Sequence, residues 1–391
     1  MDLLYQMKKI ISVEAVSVGL AMFSMFFGAG NVIFPLAVGQ YAQNQNWVAM
    51  IGLIFGSVVM PFAGVIAMIQ YEGNYQEFFG RLGKSFGFIL SLIIISLLGP
   101  LGSTPRCIAL THSTLKSSFP MISPVLFSAL SCVIIYLFTY KKSRTLELLG
   151  KFLTPLLIIA LCAIVTVGFI TEGTPSINSM AKADLFLHGL KEGYNTMDLL
   201  AAFFFSSTVL SFLKSRFSSN DSNPSNPIHI SLQASLIGAV LLSLTYIGFS
   251  MIAAIHGNDV SVTSKDELLS AMILKIVGPS ANLLVSITVG LACLTTAIAL
   301  ISVFSDFAHR EVFKEKVSYR ATLIGSLLIT FCISTLEFEG ISKMLGPILE
   351  ICYPGLIVLT LLNILYRTTG FKIVKTPVFL TFLASAWVYF K

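Results

Sequence analysis

Gly28-Ala29-Gly30-Asn31, followed by Pro35, stands in the middle of an apolar run from Val13 to Gln40. Glycine costs a helix about 1 kcal/mol relative to alanine and proline about 3, so the run is weakest as a helix at this point. An opened helix offers N–H groups at one half-end, which suit an anion, and carbonyls at the other, which suit a cation. The plain alternative is that Gly28 and Gly30 admit a neighbouring helix. A second apolar run is interrupted at Gly193-Tyr194-Asn195-Thr196-Met197-Asp198. A charge near the centre of a membrane helix costs roughly 2.5–3.5 kcal/mol, so Asp198 needs a partner or a watery cavity. It is a candidate for attracting an ammonium, holding a cation or taking up a proton, and equally for capping the helix that follows.

Ala292, Thr295 and Thr296 share one helix face at i, i+3 and i+4, and Ser302 and Asp306 extend that polar stripe. Two hydroxyls and a carbonyl are hard oxygen donors for a small cation. Threonine hydroxyls in helices also bond the preceding turn, so both readings stand. Arg106 follows Gly99-Pro100-Leu101-Gly102-Ser103-Thr104-Pro105, where two prolines bend or loosen the helix. Its guanidinium either lines an aqueous passage or snorkels outward. Glu350, close to Tyr353 and Pro354, is either an ionic gate or an ordinary packed pair.

The elements that must position these residues are membrane helices. Of 391 residues, 55% are hydrophobic and only 11% are charged, against about a quarter charged in a soluble domain. At about 20 residues per crossing, the apolar runs fall at 12–41, 47–69, 86–113, 122–140, 148–170, 187–213, 229–256, 279–308, 320–336, 340–366 and 376–390. The first run is too long for the apolar core of a secretory signal and is expected to be retained. No appended catalytic or nucleic-acid-binding domain is expected, and the net charge of +6 reads as topology. With the N-terminus inside, Lys8, Lys9, Lys141, Lys142, Arg144 and Lys151 join most other Lys and Arg in cytoplasmic connections, which fits the positive-inside rule. The six cysteines lie in apolar runs without metal-site spacing and read as small core residues.

Five runs per half would set run 6 opposite run 1 and, five being odd, invert the halves in the membrane. The interruptions at 28–31 and 193–198 correspond in that scheme, and Lys151-Phe152-Leu153-Thr154-Pro155 corresponds to Glu350-Ile351-Cys352-Tyr353-Pro354. Paired broken helices in equivalent positions point to the binding site of a secondary transporter.

Phe27-Gly28-Ala29-Gly30-Asn31-Val32-Ile33-Phe34-Pro35 resembles the first-helix signature of the bacterial branched-chain amino acid:cation symporters, the BrnQ-type carriers. Gly99-Pro100 with Thr104-Pro105-Arg106, Gly193-Tyr194 with Thr196-Met197-Asp198, Lys214-Ser215-Arg216, Ala292-Cys293-Leu294-Thr295-Thr296-Ala297, Ser318-Tyr319-Arg320 and Tyr353-Pro354 follow in the family's order. Two departures are Leu36, where a proline often follows Pro35, and eleven runs where the family usually has twelve.

The resemblance implies membership of the amino acid, polyamine and organocation superfamily. It implies an all-α polytopic membrane protein with a leucine-transporter-type 5+5 inverted repeat: one transporter domain over 1–391, repeats near 10–171 and 186–367, broken helices 1 and 6, and an extra helix near 376–390. It also implies that Gly28, Ala29, Gly30 and Asn31 meet the substrate carboxylate and that Tyr194, Asn195, Thr196 and Met197 complete the pocket. Ser24 and Phe27 carbonyls with Ala292, Thr295 and Thr296 would hold sodium, and Asp198, Arg106 and Glu350 would couple or gate. The expected protein imports leucine, isoleucine and valine with Na+ across the bacterial cytoplasmic membrane, with no cofactor beyond the coupling ion. The rivals are proton coupling or exchange of other apolar amino acids on the same fold, a channel, and an intramembrane enzyme. The last lacks an HExxH motif or paired aspartates at helix spacing, and a channel lacks rings of pore charges.

Overall fold

The computed structural model describes residues 12–116, 119–140, 153–218, 227–257, 265–278 and 282–391. The described residues are mostly helical and contain no strand. The first expected run becomes two helices, α1 (Val13–Phe26) and α2 (Ala29–Ala42). Then come α3 (Asn46–Ile54), a π turn at Phe55–Val59, α4 (Met60–Gln70) and the short α5 (Tyr75–Gly80). The third run is α6 (Lys84–Leu98) and α7 (Ser103–Lys116), followed by α8 (Pro124–Thr139) and α9 (Thr154–Ile170). The second half opens with α10 (Lys182–Asn195) and α11 (Asp198–Ser218), then α12 (Pro227–His256) and the short α13 (Leu268–Val277). It ends with α14 (Asn282–Phe307), α15 (Tyr319–Ser334), α16 (Glu337–Thr369) and α17 (Lys375–Phe390).

Every expected run coincides with helix, although 148–152 and 279–281 lie outside the described residues. Lys8, Lys9, Lys141, Lys142, Arg144 and the Lys151-Phe152 end of the proposed repeat match lie outside them too. Among the described residues, six helical stretches are long and apolar enough to cross a membrane by length and composition. The third run does more than bend: residues 99–102 leave the helix, splitting it into α6 and α7. Pro347 and Pro354, by contrast, sit inside an unbroken 33-residue α16. The helices α5 and α13 were not anticipated, being shorter than any membrane run. Cys162 and Cys332 are exposed on apolar helices and so depart from the core reading that Cys107, Cys132 and Cys293 keep.

Backbones meet closely where side chains are missing. A Cβ on Gly189 of α10 would stand 1.8 Å from the Ala49 carbonyl oxygen of α3, and one on Gly39 of α2 would stand 2.0 Å from that of Ser250 in α12. These contacts bring α10 onto α3 and α12 onto α2, so both interrupted helices are held by closely packed neighbours. Aromatic rings fill the space between, with Phe23 stacked on Phe27 and Phe27 tilted against Phe249.

Candidate functional site

Two breaks face each other at the centre of the chain's fold. Ser12 caps α1 by accepting from the Ala15 N–H at 3.0 Å, and α1 runs until the Phe27 N–H donates to the Phe23 carbonyl. The next N–H, Gly28, would continue the ladder to the Ser24 carbonyl. Instead it donates to Asn31 Oδ1 at 3.1 Å. The Ser24 carbonyl is thereby released from the helix, and Pro35, which has no N–H, releases the Asn31 carbonyl in the same way. The second break lies at Thr196–Met197, where Met197 holds a left-handed φ of +67°. A non-glycine residue is held there only when its surroundings over-determine it, and such strain gathers at functional sites.

The breaks touch. A Cβ on Gly30 would stand 3.1 Å from the Thr196 Cα and 3.3 Å from the Asn195 carbonyl oxygen. Asn31 Nδ2 donates to both carboxylate oxygens of Asp198, at 2.9 and 2.8 Å, and Tyr246 Oη of α12 donates to Asp198 Oδ2 at 2.8 Å. Asp198 is 2% exposed, so its charge depends on these donors. One carboxylate thus ties α2, α11 and α12 together. It does not serve as a simple cap: the N–H of Leu199, the next residue, donates to Tyr353 Oη of α16 at 2.9 Å.

The released Ser24 carbonyl has two acceptor contacts with α14. Thr295 Oγ1 donates to it at 3.1 Å and Thr296 Oγ1 at 3.0 Å, while Thr295 Oγ1 also lies 2.9 Å from the Ala292 carbonyl. Thr296 packs directly on the break, since a Cβ on Gly28 would meet its Cγ2 at 2.8 Å. Four oxygens, those of Ser24, Ala292, Thr295 and Thr296, are therefore linked by hydrogen bonds beside the break. Phe27 is adjacent and packs through its ring. Ser302 and Asp306 do not continue this cluster. Ser302 faces Tyr319 Oη at 3.4 Å and Asp306 pairs with Arg310 at 3.0 Å, further along α14.

Arg106, on the first turn of α7, is 3% exposed and does not snorkel. Its Nη1 donates to the Asn195 carbonyl at 3.1 Å, and the guanidinium lies over the rings of Phe34 and Phe338. Glu350 instead pairs with Lys191 at 3.1 Å, in a lateral groove that Tyr194 also lines and that α17 borders. Tyr194 stacks on Tyr353, with ring centroids 4.6 Å apart. Of the expected site residues, Gly28 to Asn31, Asn195 to Asp198, Arg106 and the Ser24/Thr295/Thr296 group gather at the breaks, while Tyr194 and Glu350 stand on the flank.

The sequence reading missed Tyr246 and a buried acid, and it gave Tyr353 no partner. Glu192 is 5% exposed and pairs with Lys265 at 2.6 Å, while accepting from Asn195 Nδ2 at 3.2 Å. Lys265 belongs to a short turn that touches α2, α7 and α16, so this pair covers the breaks from the side of the 265–267 turn. Beyond it opens a polar vestibule lined by Gln40, Tyr41, Asn178, His188 and Lys265.

A profile of the branched-chain amino acid transport protein family matches residues 11–389. The branched-chain amino acid permease BrnQ of Bacillus subtilis is 28% identical over 376 residues, covering 92% of this chain and 83% of that protein. Among solved structures, MhsT in complex with L-phenylalanine superposes with a TM-score of 0.64 at 13% identity, covering 96% of both chains. A manganese transporter of Eremococcus coleocola superposes with a TM-score of 0.58 at 12% identity, covering 96% of this chain and 85% of the other. At these identities the likeness shows the fold, which is the leucine-transporter type.

Proposed function

This chain belongs to the branched-chain amino acid transport protein family, and from that premise we propose that it imports leucine, isoleucine and valine by sodium symport with alternating access. It is a multi-pass membrane transporter and not an enzyme. The finer reading rests on one observation: the Ser24 carbonyl, freed by the break after α1, is met by the hydroxyls of Thr295 and Thr296 at 3.1 and 3.0 Å. When sodium enters, the two hydroxyl hydrogens turn away. The Ser24 and Ala292 carbonyls and the two hydroxyls then present oxygen to the ion, as hard cations require.

Such an ion would bridge α1 and α14. It stabilises whichever state brings the two helices together, by its differential affinity for that state. The amino acid would lie between the breaks, its carboxylate toward the positive N-terminal end of α2 at Ala29, Gly30 and Asn31. The halves near 10–171 and 186–367 would act as inverted repeats, with the N-terminus on the cytoplasmic side of the bacterial cytoplasmic membrane.

The test is isoleucine binding to the purified protein at graded sodium. Thr295→Ala with Thr296→Ala should raise the sodium needed for half-maximal binding at least about tenfold, since two ion contacts are lost. Unchanged sodium dependence would remove these residues from the site.

A further inference from the structure

Arg106 is the buried charge that the transport reading leaves without a task. Its guanidinium carries five N–H donors in a planar fork and cannot be neutralised by losing a proton. Nη1 is committed to the Asn195 carbonyl at 3.1 Å, with the Met197 sulfur 3.7 Å away. Nε and Nη2 are buried and have no acceptor among the described residues. Glu192, the acid whose field reaches Arg106, is already held by Lys265 and Asn195. A desolvated cation with two unpaired nitrogens is costly unless an anion meets it.

The idle donors stand at the place where the two broken helices meet. The Asn195 carbonyl that anchors Nη1 also touches Gly30, and the ring of Phe34, which the guanidinium overlies at 5.0 Å, lies 3.2 Å from where a Cβ on Gly30 would be. The positive end of α2 therefore lies beside the Arg106 guanidinium, which has two unpaired nitrogens. Resting on the reading that the protein carries amino acids, we propose that Arg106 binds the substrate's carboxylate through Nε and Nη2, together with the first-turn N–H groups of α2. The Nε/Nη2 edge matches the two oxygens of a carboxylate, a geometry that a lysine ammonium cannot reproduce. The Phe34 and Phe338 rings hold the fork in place and exclude water from it. Phe34, Arg106 and Asn195 then make recognition of the carboxylate and contact between the two breaks a single event.

The experiment measures binding of L-isoleucine and of L-isoleucinamide, which lacks the carboxylate charge, to the purified full chain in sodium buffer. The wild type should prefer the acid by about 30-fold or more, the usual consequence of removing one partner of a buried charged pair. Arg106→Met should weaken acid binding at least about tenfold more than amide binding, so that most of the preference for the acid is lost. Arg106→Lys should recover part of the preference, and it carries the same test through the acid-to-amide ratio if the Met variant does not fold. Wild-type isoleucine affinity in Arg106→Met, or equal weakening of acid and amide in either variant, overturns the assignment. A wild type that binds neither compound refutes the amino acid transport reading, and the assignment falls with it. In that case the loss appears before any substitution is made.

Discussion

The contact that joins the two breaks can be weakened without leaving a hole. Tyr246→Phe removes one hydroxyl that donates to Asp198 Oδ2 at 2.8 Å and keeps the ring. A hydrogen bond to a charged group contributes about 1.5–3 kcal/mol, so stability should fall by that amount, with no added cavity cost. Asn31→Ala removes more. The carboxylate loses its contacts at 2.9 and 2.8 Å, and the Gly28 N–H loses its acceptor at 3.1 Å. About twice the Tyr246→Phe loss is expected. Because both side chains serve one carboxylate, the double variant should depart from additivity by about 0.5–3 kcal/mol. Equilibrium unfolding of the four proteins in mixed micelles measures each quantity. A Tyr246→Phe loss below about 0.5 kcal/mol, or strictly additive losses, would refute the view that Asp198 clasps the breaks.

Other consequences follow from the same geometry. Gly189→Ala should prevent α10 from seating on α3, because its Cβ would lie 1.8 Å from a carbonyl oxygen, and should abolish recovery of folded protein. Gly325→Ala in α15 meets nothing within 4 Å and should raise stability by up to about 1 kcal/mol; thermal scans of the pair would contradict this if they ranked alike. Gly30→Val should eliminate isoleucine binding while the protein still elutes as a folded monodisperse species, since its branched side chain enters the contact between the breaks. Normal binding by that variant would place the substrate elsewhere. Glu192→Gln should loosen the cover over the breaks and speed isoleucine dissociation, measured by chase with unlabelled ligand. An unchanged off-rate would leave the Glu192–Lys265 pair no part in covering the breaks.

Much of this site was legible because it depends on local chain chemistry. Gly28, Gly30, Asn31 and Pro35 weaken α1–α2 within one run, and Gly193 to Asp198 announce the second break, so both could be read from residues a few positions apart. The Thr295–Thr296 face was equally visible from helical spacing. What the sequence hid is what depends on distance along the chain. Tyr246 is a lone tyrosine in an apolar helix, and nothing nearby marks it as the partner of Asp198. The Glu192–Lys265 pair spans 73 residues, and Glu192 reads locally as an ordinary helix charge. The third run was expected to bend or loosen at its prolines, and it opens over 99–102. Two prolines in α16 cause no such break, so proline alone did not decide between bending and opening. Gly346 and Gly355 stand beside the prolines of α16 just as Gly99 and Gly102 stand beside those of the third run, so glycine next to proline does not decide it either. Glu350, readable from sequence as an ionic gate or a packed pair, meets Lys191 on the flank, a partner 159 residues away that nothing local marks.

The most direct test of the central claim is uptake of labelled L-isoleucine into proteoliposomes under sodium and proton gradients imposed separately and together. The account predicts accumulation whenever sodium is higher outside, with no requirement for a proton gradient, and loss of that accumulation in the Thr295→Ala, Thr296→Ala double variant. Accumulation driven by the proton gradient alone would contradict it and move the coupling to Asp198.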